Sequence, residues 1–414
     1  MATEDPFAGK AEWFDAGYRD SSHGMVRLDL VLERLLERLP PPPAAVLDAG
    51  GGTGAFAIPL AARGYDVTLV DRSWEWLDVA GGKAEESRVR LRLVQGAMQE
   101  VGSLLDGQSF DAILCHTVLL YLDDPGTALE QLRTLARPGA VLSILEKNRD
   151  GLPLRPGFAG DYAEALRVLD DPVAAGRLGV PNRARSVGEL RSLLLAAGWR
   201  SEDWIGVRLF SDMVLTLDED RYADLLALDR VAGSREPYRR LARLIHLLAR
   251  PLPDSPESLE MIQARSFAAA SATTLDSWPP HKALSGPELA AFLEEPRYAA
   301  VTTTRAGGRP HATMTAYRVR DGRLWLPAVS GAVRLRNLAH EPSATVLVAE
   351  GGGEEHVVVM VEGDAVVHDD PQAILSAWLQ DEWRRAYGTV LDWAGRIIEL
   401  VPSKVLSYAA TPRS

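Results

Sequence analysis

One cysteine, Cys115, serves all 414 residues, which excludes an intrachain disulfide and any cysteine-built metal site. Long apolar runs are missing too. No stretch of 18 uncharged apolar residues occurs, so no membrane-spanning helix is expected. The start, Met1-Ala2-Thr3-Glu4-Asp5, lacks the basic-then-apolar order of a secretory signal, and the cytoplasm is the expected compartment. A basic surplus is also absent: Lys and Arg total 45 against 57 Asp and Glu, a formal net charge of −12. Residues 262–414 hold 15 basic and 17 acidic side chains, leaving 30 and 40, a net of −10, in the first 261 residues. Nucleic-acid binders draw much of their affinity from phosphate neutralisation, so broad attraction of RNA by the first segment is disfavoured. His, Asp and Glu nowhere cluster at ligand spacing, and Cys115-His116 alone cannot fill a zinc site, so no metal is expected.

What is present is the balance of an ordinary globular chain, 46% hydrophobic and 25% charged. At roughly 150 residues per domain, its length suits two to three domains. Two textures divide it. Over residues 30–145, apolar runs alternate with helical patterns: Ala45-Val46-Leu47-Asp48, Tyr65 to Asp71, Phe110 to Leu114 and Ala140 to Leu145. Strands separated by helices imply a parallel sheet covered on both faces. Residues 298–368 instead show short β-rich runs joined by turns such as Gly307-Gly308 and Asp321-Gly322, the pattern of an antiparallel meander. The proline-bearing stretch from Pro251 to Pro256, followed by a partly helical, Ala/Ser-rich stretch to Pro279-Pro280, reads as a linker over 251–283. The expected organisation is a Rossmann-like α/β domain over 1–250, the linker, and an antiparallel split β-barrel over 284–414.

The chemistry of the first domain starts at Asp48-Ala49-Gly50-Gly51-Gly52-Thr53-Gly54, between a strand and a helix. Glycines let backbone approach a ligand closely and adopt conformations a side chain forbids. With Ala55 the cluster satisfies the loose dinucleotide pattern, so NAD is one reading. The D-x-G-x-G-x-G spacing favours S-adenosylmethionine, and Asp71 closes the second strand, where a carboxylate can accept both ribose hydroxyls. A Gly-rich turn with Asp48 as a helix cap is the bland alternative.

These residues resemble the class I S-adenosylmethionine-dependent methyltransferases, and more specifically the bacterial tRNA 5-carboxymethoxyuridine carboxyl methyltransferases. The likeness runs over about residues 10–252. It includes Val46 to Gly52, Ile113 to Leu119, Ala197-Gly198-Trp199, Gly206-Val207-Arg208, Glu236-Pro237-Tyr238 and Ile245-His246. The resemblance implies a seven-stranded sheet whose last strand is antiparallel. It also implies that Arg27 holds the cofactor's methionyl carboxylate, through the planar fork that suits such a group. Asp48, Gly50, Gly52 and Gly54 would cradle the cofactor, Asp71 its ribose, and Ala97, Met98 and Gln99 its adenine. His116 would lie near the sulfonium, although a core histidine satisfied by backbone is the competing reading. Trp74 and Trp76 stand where the family has smaller residues. At i and i+2 on a helix they face different directions, so core packing must explain at least one.

The family's acceptor is a carboxylate on a tRNA wobble uridine. Such a group is already an anion, so it needs cationic or hydrogen-bonding side chains to orient it rather than a strong base. Arg208, Arg149 and Tyr121 are the candidates, each of which could equally be a structural ion-pair partner or surface residue. The tRNA enzymes carry a basic run near residues 172–190, whereas this chain has only Arg177, Arg183 and Arg185 there. Together with the net −10, this admits a small carboxylic acid as well as tRNA as the acceptor.

Ser285 and Glu288 have the spacing of a capping box opening a helix that ends by Pro296. Strands near 298–305, 311–319, 323–329, 344–349 and 356–367 follow, then a helix around 371–386 and a strand near 396–401. This order resembles the pyridoxamine-phosphate-oxidase-like split barrels over about residues 284–409. That resemblance implies FMN or deazaflavin binding at a homodimer interface, with Arg334 and Arg336 on the cofactor phosphate. The alternatives are a bifunctional enzyme whose barrel performs flavin or deazaflavin redox chemistry on the same metabolite, and a barrel without cofactor, serving dimerisation or ligand binding.

Overall fold

The computed structural model describes residues 7, 9–14, 21–175, 179–214, 219–253 and 257–411. The chain divides into two compact units, Met1–Leu252 and Pro253–Ser414.

In the first unit the apolar runs become β1 (Ala45–Ala49), β2 (Asp66–Asp71), β3 (Arg92–Gln95), β4 (Phe110–His116), β5 (Ala136–Lys147), β6 (Trp199–Val207) and β7 (Leu244–Pro251). They form one sheet in the order β3-β2-β1-β4-β5-β7-β6. β1 to β5 pair in parallel, and β7 runs antiparallel to both β5 and β6, as the resemblance implied. Successive strand residues face opposite sides, so each central strand feeds two cores. Leu47, Ile113, Cys115, Leu142 and Ile144 enter one, and Val46, Ala112, Leu114, Val141 and Leu145 the other. Burial on both faces is why these strands read as nearly continuous apolar runs.

Helix Ser22–Leu36 covers the second core with Val26, Leu30, Val31 and Leu35. Its first turn is capped by the Ser21 hydroxyl, which accepts the Gly24 amide at 3.2 Å. This strand arrangement brings the C-terminal ends of β1, β2, β4, β5 and β6 to one edge of the sheet. Asp48, Asp71, His116, Glu146 and Arg208 stand at or next to those ends. Ligands of open α/β sheets bind along that edge.

The second unit holds β8 (Tyr298–Thr304), β9 (Pro310–Ala316), β10 (Arg318–Arg320), β11 (Arg323–Ala328), β12 (Ser343–Glu350), β13 (Val357–His368) and β14 (Arg396–Ala409). All pairings are antiparallel, in the order β9-β8-β12-β13-β14-β11-β10. Asp321 and Gly322 both have positive φ, +52° and +68°, the geometry of a tight two-residue hairpin between β10 and β11. At the start of helix Gly286–Glu294, the Glu288 carboxylate accepts both the amide and the hydroxyl of Ser285, at 2.7 and 2.6 Å. Two boundaries differ from expectation. β14 continues eight residues past Val401, pairing with β13 as far as Val357–Ala409. The proposed linker also contains structure: helix Leu259–Ala268 puts Leu259 and Ile262 into this unit's core. It is pinned there by Ser266 Oγ, which accepts the Val405 amide at 3.0 Å.

Candidate active site

The glycine loop follows β1 with Gly50, Gly52 and Gly54 at φ +75°, +56° and +78°, a region L side chains rarely adopt. Space is equally restrictive. A Cβ on Gly50 would lie 2.4 Å from Val118 Cγ2, and one on Gly51 would lie 2.6 Å from Asp48 Cγ. The loop is therefore bare backbone by necessity, and its glycine amides are spent on holding its shape. Gly50 donates to the Val70 carbonyl at 2.7 Å and Gly52 to Asp71 Oδ2 at 3.0 Å, tying the loop to the end of β2.

Asp71 Oδ1 accepts the Ser73 amide at 3.0 Å. These two amides fix the orientation of the carboxylate at the end of β2. The Asp71 carbonyl receives the Gly96 amide at 3.0 Å, which sets Ala97 and the buried Met98 beside it as the adenine wall would require. Gln99 is exposed. Asp48 is buried, and its Oδ2 has no hydrogen-bond partner among the described residues. Burial first, and the Asp71 charge second, push its carboxyl up to about 7. Such an acceptor awaits a donor or a cation. Arg27, also buried, sits over the Phe56 ring at 5.8 Å.

His116 meets that same Phe56 ring edge-on at 4.5 Å. Its Nε2 lies 2.8 Å from Ser143 Oγ, which in turn lies 2.9 Å from His246 Nε2. Burial holds the His116 imidazole well below its usual pKa, and its neighbour His246 down to about 3, so both are neutral. His116 is thus a buried histidine held by a side chain rather than by backbone. Tyr121 meets Phe7 edge-on at 5.2 Å. Trp76 donates Nε1–H to the Phe7 carbonyl at 3.2 Å and lies 3.0 Å from where a Gly52 Cβ would be. Trp76 therefore packs the underside of the loop, while Trp74 points outward, 57% exposed.

The acceptor arginines are the main correction. Arg208, at φ +64° just past β6, makes a buried ion pair with Asp212. The segment is held by Asp229, which accepts the Phe210 amide at 2.8 Å and the Ser211 hydroxyl at 2.5 Å. Arg149 pairs with Glu189 at 3.1 Å on the partly exposed rim. Both are structural partners here rather than an open clamp. Sequence reasoning also missed Glu146, fully buried at the end of β5. Its Oε1 accepts the Leu119 amide at 3.0 Å, while Arg185 donates to the Leu119 carbonyl at 3.2 Å. Burial pushes the Glu146 carboxyl up to about 8, against the opposing charge of Arg185. The signal for both Ser143 and Glu146 was a polar residue inside or ending the aliphatic run of β5.

Comparisons with known proteins now meet this geometry. Residues 47–144 match the methyltransferase domain family. The chain is 35% identical over 249 residues to the tRNA 5-carboxymethoxyuridine methyltransferase of Escherichia coli, spanning 58% of this chain and 94% of that protein. The chain belongs to this family of S-adenosylmethionine-dependent methyltransferases. A ubiquinone biosynthesis O-methyltransferase of Xanthomonas campestris is 33% identical over 149 residues, 35% of this chain and 60% of that one. Among solved structures, magnesium protoporphyrin IX methyltransferase from Synechocystis with bound SAH superposes with a TM-score of 0.41 at 16% identity, covering 59% of this chain and 96% of that one. Residues 285–405 match the pyridoxamine 5'-phosphate oxidase family.

S-Adenosylmethionine fits the methyltransferase site as built. The side-chain-free cradle, the unpartnered Asp48 oxygen and the Asp71 acceptors meet a ligand that is cationic at one end and carries ribose hydroxyls at the other. When bound, it supplies an activated methyl group on a sulfonium. In the barrel, Arg334 is buried with Nη2 donating to the Pro327 carbonyl at 2.5 Å, whereas Arg336 is exposed. At i and i+2 of helix Val333–His340 they face apart, so the expected phosphate pair does not converge.

Proposed function

We propose that this methyltransferase forms a methyl ester on a small carboxylic acid. The observation that carries the reading is the state of His116: buried, neutral and bonded through Nε2, it is too weak a base to activate a hydroxyl. A carboxylate needs no base. Its oxygen forms the new C–O bond as the C–S bond breaks, the electron pair stays on sulfur, and no proton moves. The Escherichia coli relative's name indicates a carboxymethoxy group on uridine, a carboxylate of the same kind.

A small acid is favoured over tRNA by the charge and by the fate of the arginines. Arg185 is spent on the Leu119 carbonyl, Arg183 alone is exposed in the small hairpin, and Arg177 lies outside the described residues. Incubation with methyl-labelled cofactor and either total tRNA or a small-molecule extract of the host tests this. Label should enter the small-molecule fraction, and label confined to tRNA overturns the small-acid reading in favour of tRNA. For the barrel, the family match supports FMN or deazaflavin, with the exposed Arg336 as the phosphate cation. A visible spectrum that fails to change when either is added leaves the barrel as a dimerisation or ligand-binding module. We read the enzyme as a cytoplasmic homodimer, which sedimentation of the full chain tests for the dimer.

A further inference from the structure

Phe7, Trp76, Tyr121 and Val180 are far apart in the sequence, yet the fold gathers them at one place. Glu75, in the first turn of helix Trp74–Glu86, turns both carboxylate oxygens on the N-terminal segment. Its Oε2 accepts the Gly9 amide at 2.6 Å and its Oε1 the Ala11 amide at 3.2 Å. Trp76 adds an Nε1–H bond to the Phe7 carbonyl at 3.2 Å. The Phe7 ring meets two aromatics edge-on, Trp76 at 6.3 Å and Tyr121 at 5.2 Å. Ala11 is buried against Trp76, and Val180 packs on the same cluster.

The strand order says where this segment runs. Helix Trp74–Glu86 follows β2, the glycine loop follows β1, and Tyr121 follows β4. β1 lies between β2 and β4 in the sheet. A residue in contact with both Trp76 and Tyr121 therefore stands across the end of β1, where the glycine loop is. Trp76 confirms the neighbourhood, since its ring lies 3.0 Å from where a Gly52 Cβ would be. The fastenings are unlike those of a core element. Gly9 is exposed, Glu75 and Phe7 are half-buried, and Ala11 brings a single methyl group to the interior. Few buried apolar contacts and hydrogen bonds close to solvent mark a part that opens without global unfolding.

We propose that the segment carrying Phe7, Gly9 and Ala11 is a strap across the mouth of the glycine loop, which lifts for S-adenosylmethionine to enter and S-adenosylhomocysteine to leave. Glu75 and Trp76 are its positioning residues and act through Phe7. Because Phe7 also meets Tyr121, closing the strap is linked to the position of the loop after β4. The inference rests on the cofactor lying at the glycine loop, which Asp71→Ala tests independently. A strap that is closed to the same extent with and without ligand scales entry and exit by one open fraction. Weakening its latch then quickens both and leaves their ratio nearly unchanged. A fixed wall behaves otherwise, since losing a contact with the ligand quickens exit alone.

Stopped-flow fluorescence of the full chain with S-adenosylhomocysteine measures both rates. In Glu75→Ala and, separately, in Phe7→Ala, association and dissociation should each quicken about tenfold, with Kd changed by less than about twofold. Glu75→Gln, which keeps one acceptor for the two amides, should lie between Glu75→Ala and the wild type. Faster dissociation alone, with Kd weakened to match, makes the segment a fixed wall and overturns the strap. Wild-type rates in both variants, at wild-type stability in urea, overturn it as well. If Asp71→Ala loses affinity while those rates stay at wild type, the cofactor site stands and only the strap falls. Equal affinity in Asp71→Ala would instead overturn the cofactor placement on which the strap depends.

Discussion

The Gly52 amide donates to Asp71 Oδ2 at 3.0 Å, so the glycine loop and the carboxylate at the end of β2 are one hydrogen-bonded unit. Asp71 therefore shapes the loop, and we propose that it also binds the ribose. Asp71→Ala should weaken S-adenosylhomocysteine about 10- to 100-fold by calorimetry, the range for losing charge-assisted hydrogen bonds. Asp71→Asn, which keeps one acceptor, should lose less. Equal affinity for all three proteins would detach Asp71 from the site.

Two glycines provide a matched contrast. Gly50→Ala drives a Cβ to 2.4 Å from Val118 Cγ2 at a φ of +75° and should lower stability by about 1–3 kcal/mol. Gly82, exposed inside helix Trp74–Glu86, has nothing within 4 Å of its ideal Cβ. Gly82→Ala should raise stability by about 0.5–1 kcal/mol. Urea titration of both variants checks the sign reversal.

How far these details could be read beforehand follows from the physics of each residue. Strands β1, β2, β4 and β5 of the first unit were legible because burial leaves apolar runs such as Ala140 to Leu145, whereas the count of seven came from the family resemblance. Asp48, the glycines and Asp71 were legible because a close backbone approach restricts residue type. The fate of Arg208 was not, since its partner Asp212 is four residues away in a turn that no periodicity announces. That the partly helical stretch at Leu259–Ala268 packs into the barrel was masked by flanking prolines, and Ser143 by an aliphatic strand whose neighbour His246 lies 103 residues on.

The Arg208–Asp212 pair is almost fully buried, with side-chain exposures of 6% and 2%. Removing one partner strands the other charge, so Arg208→Ala should cost about 3–5 kcal/mol, and Arg208→Met with Asp212→Leu should recover much of it. Thermal and urea unfolding measure this. An Arg208→Ala protein of native stability but without methyl transfer would return Arg208 to the acceptor site.

Glu146 makes stability pH-dependent in a defined direction. Its folded pKa of about 8 exceeds the usual 4.5, so its contribution is full below the unfolded value and is lost as pH rises through the folded one. Between those values the wild type should lose up to about 1.4 kcal/mol per pH unit relative to Glu146→Gln, which keeps an acceptor for the Leu119 amide. Parallel unfolding curves at every pH would show that Glu146 is ionised when folded.

Asp48 couples cofactor binding to protons. Its carboxyl, pushed up to about 7 by burial and Asp71 against the Ala57 amide and Arg27, should ionise when the cofactor's cationic end arrives. Binding at neutral pH should then release a fraction of a proton and tighten as pH rises from about 6 to about 8. Calorimetry in buffers of different ionisation enthalpy reads the release, and proton uptake would contradict it.

The central claim is a methyl ester made without a base. Its most direct measurement is the lability of the labelled product. After reaction with methyl-labelled S-adenosylmethionine and the acceptor fraction, mild alkali should release the label as volatile methanol. Label that survives alkali, as an ether or N-methyl group would, contradicts carboxyl methylation.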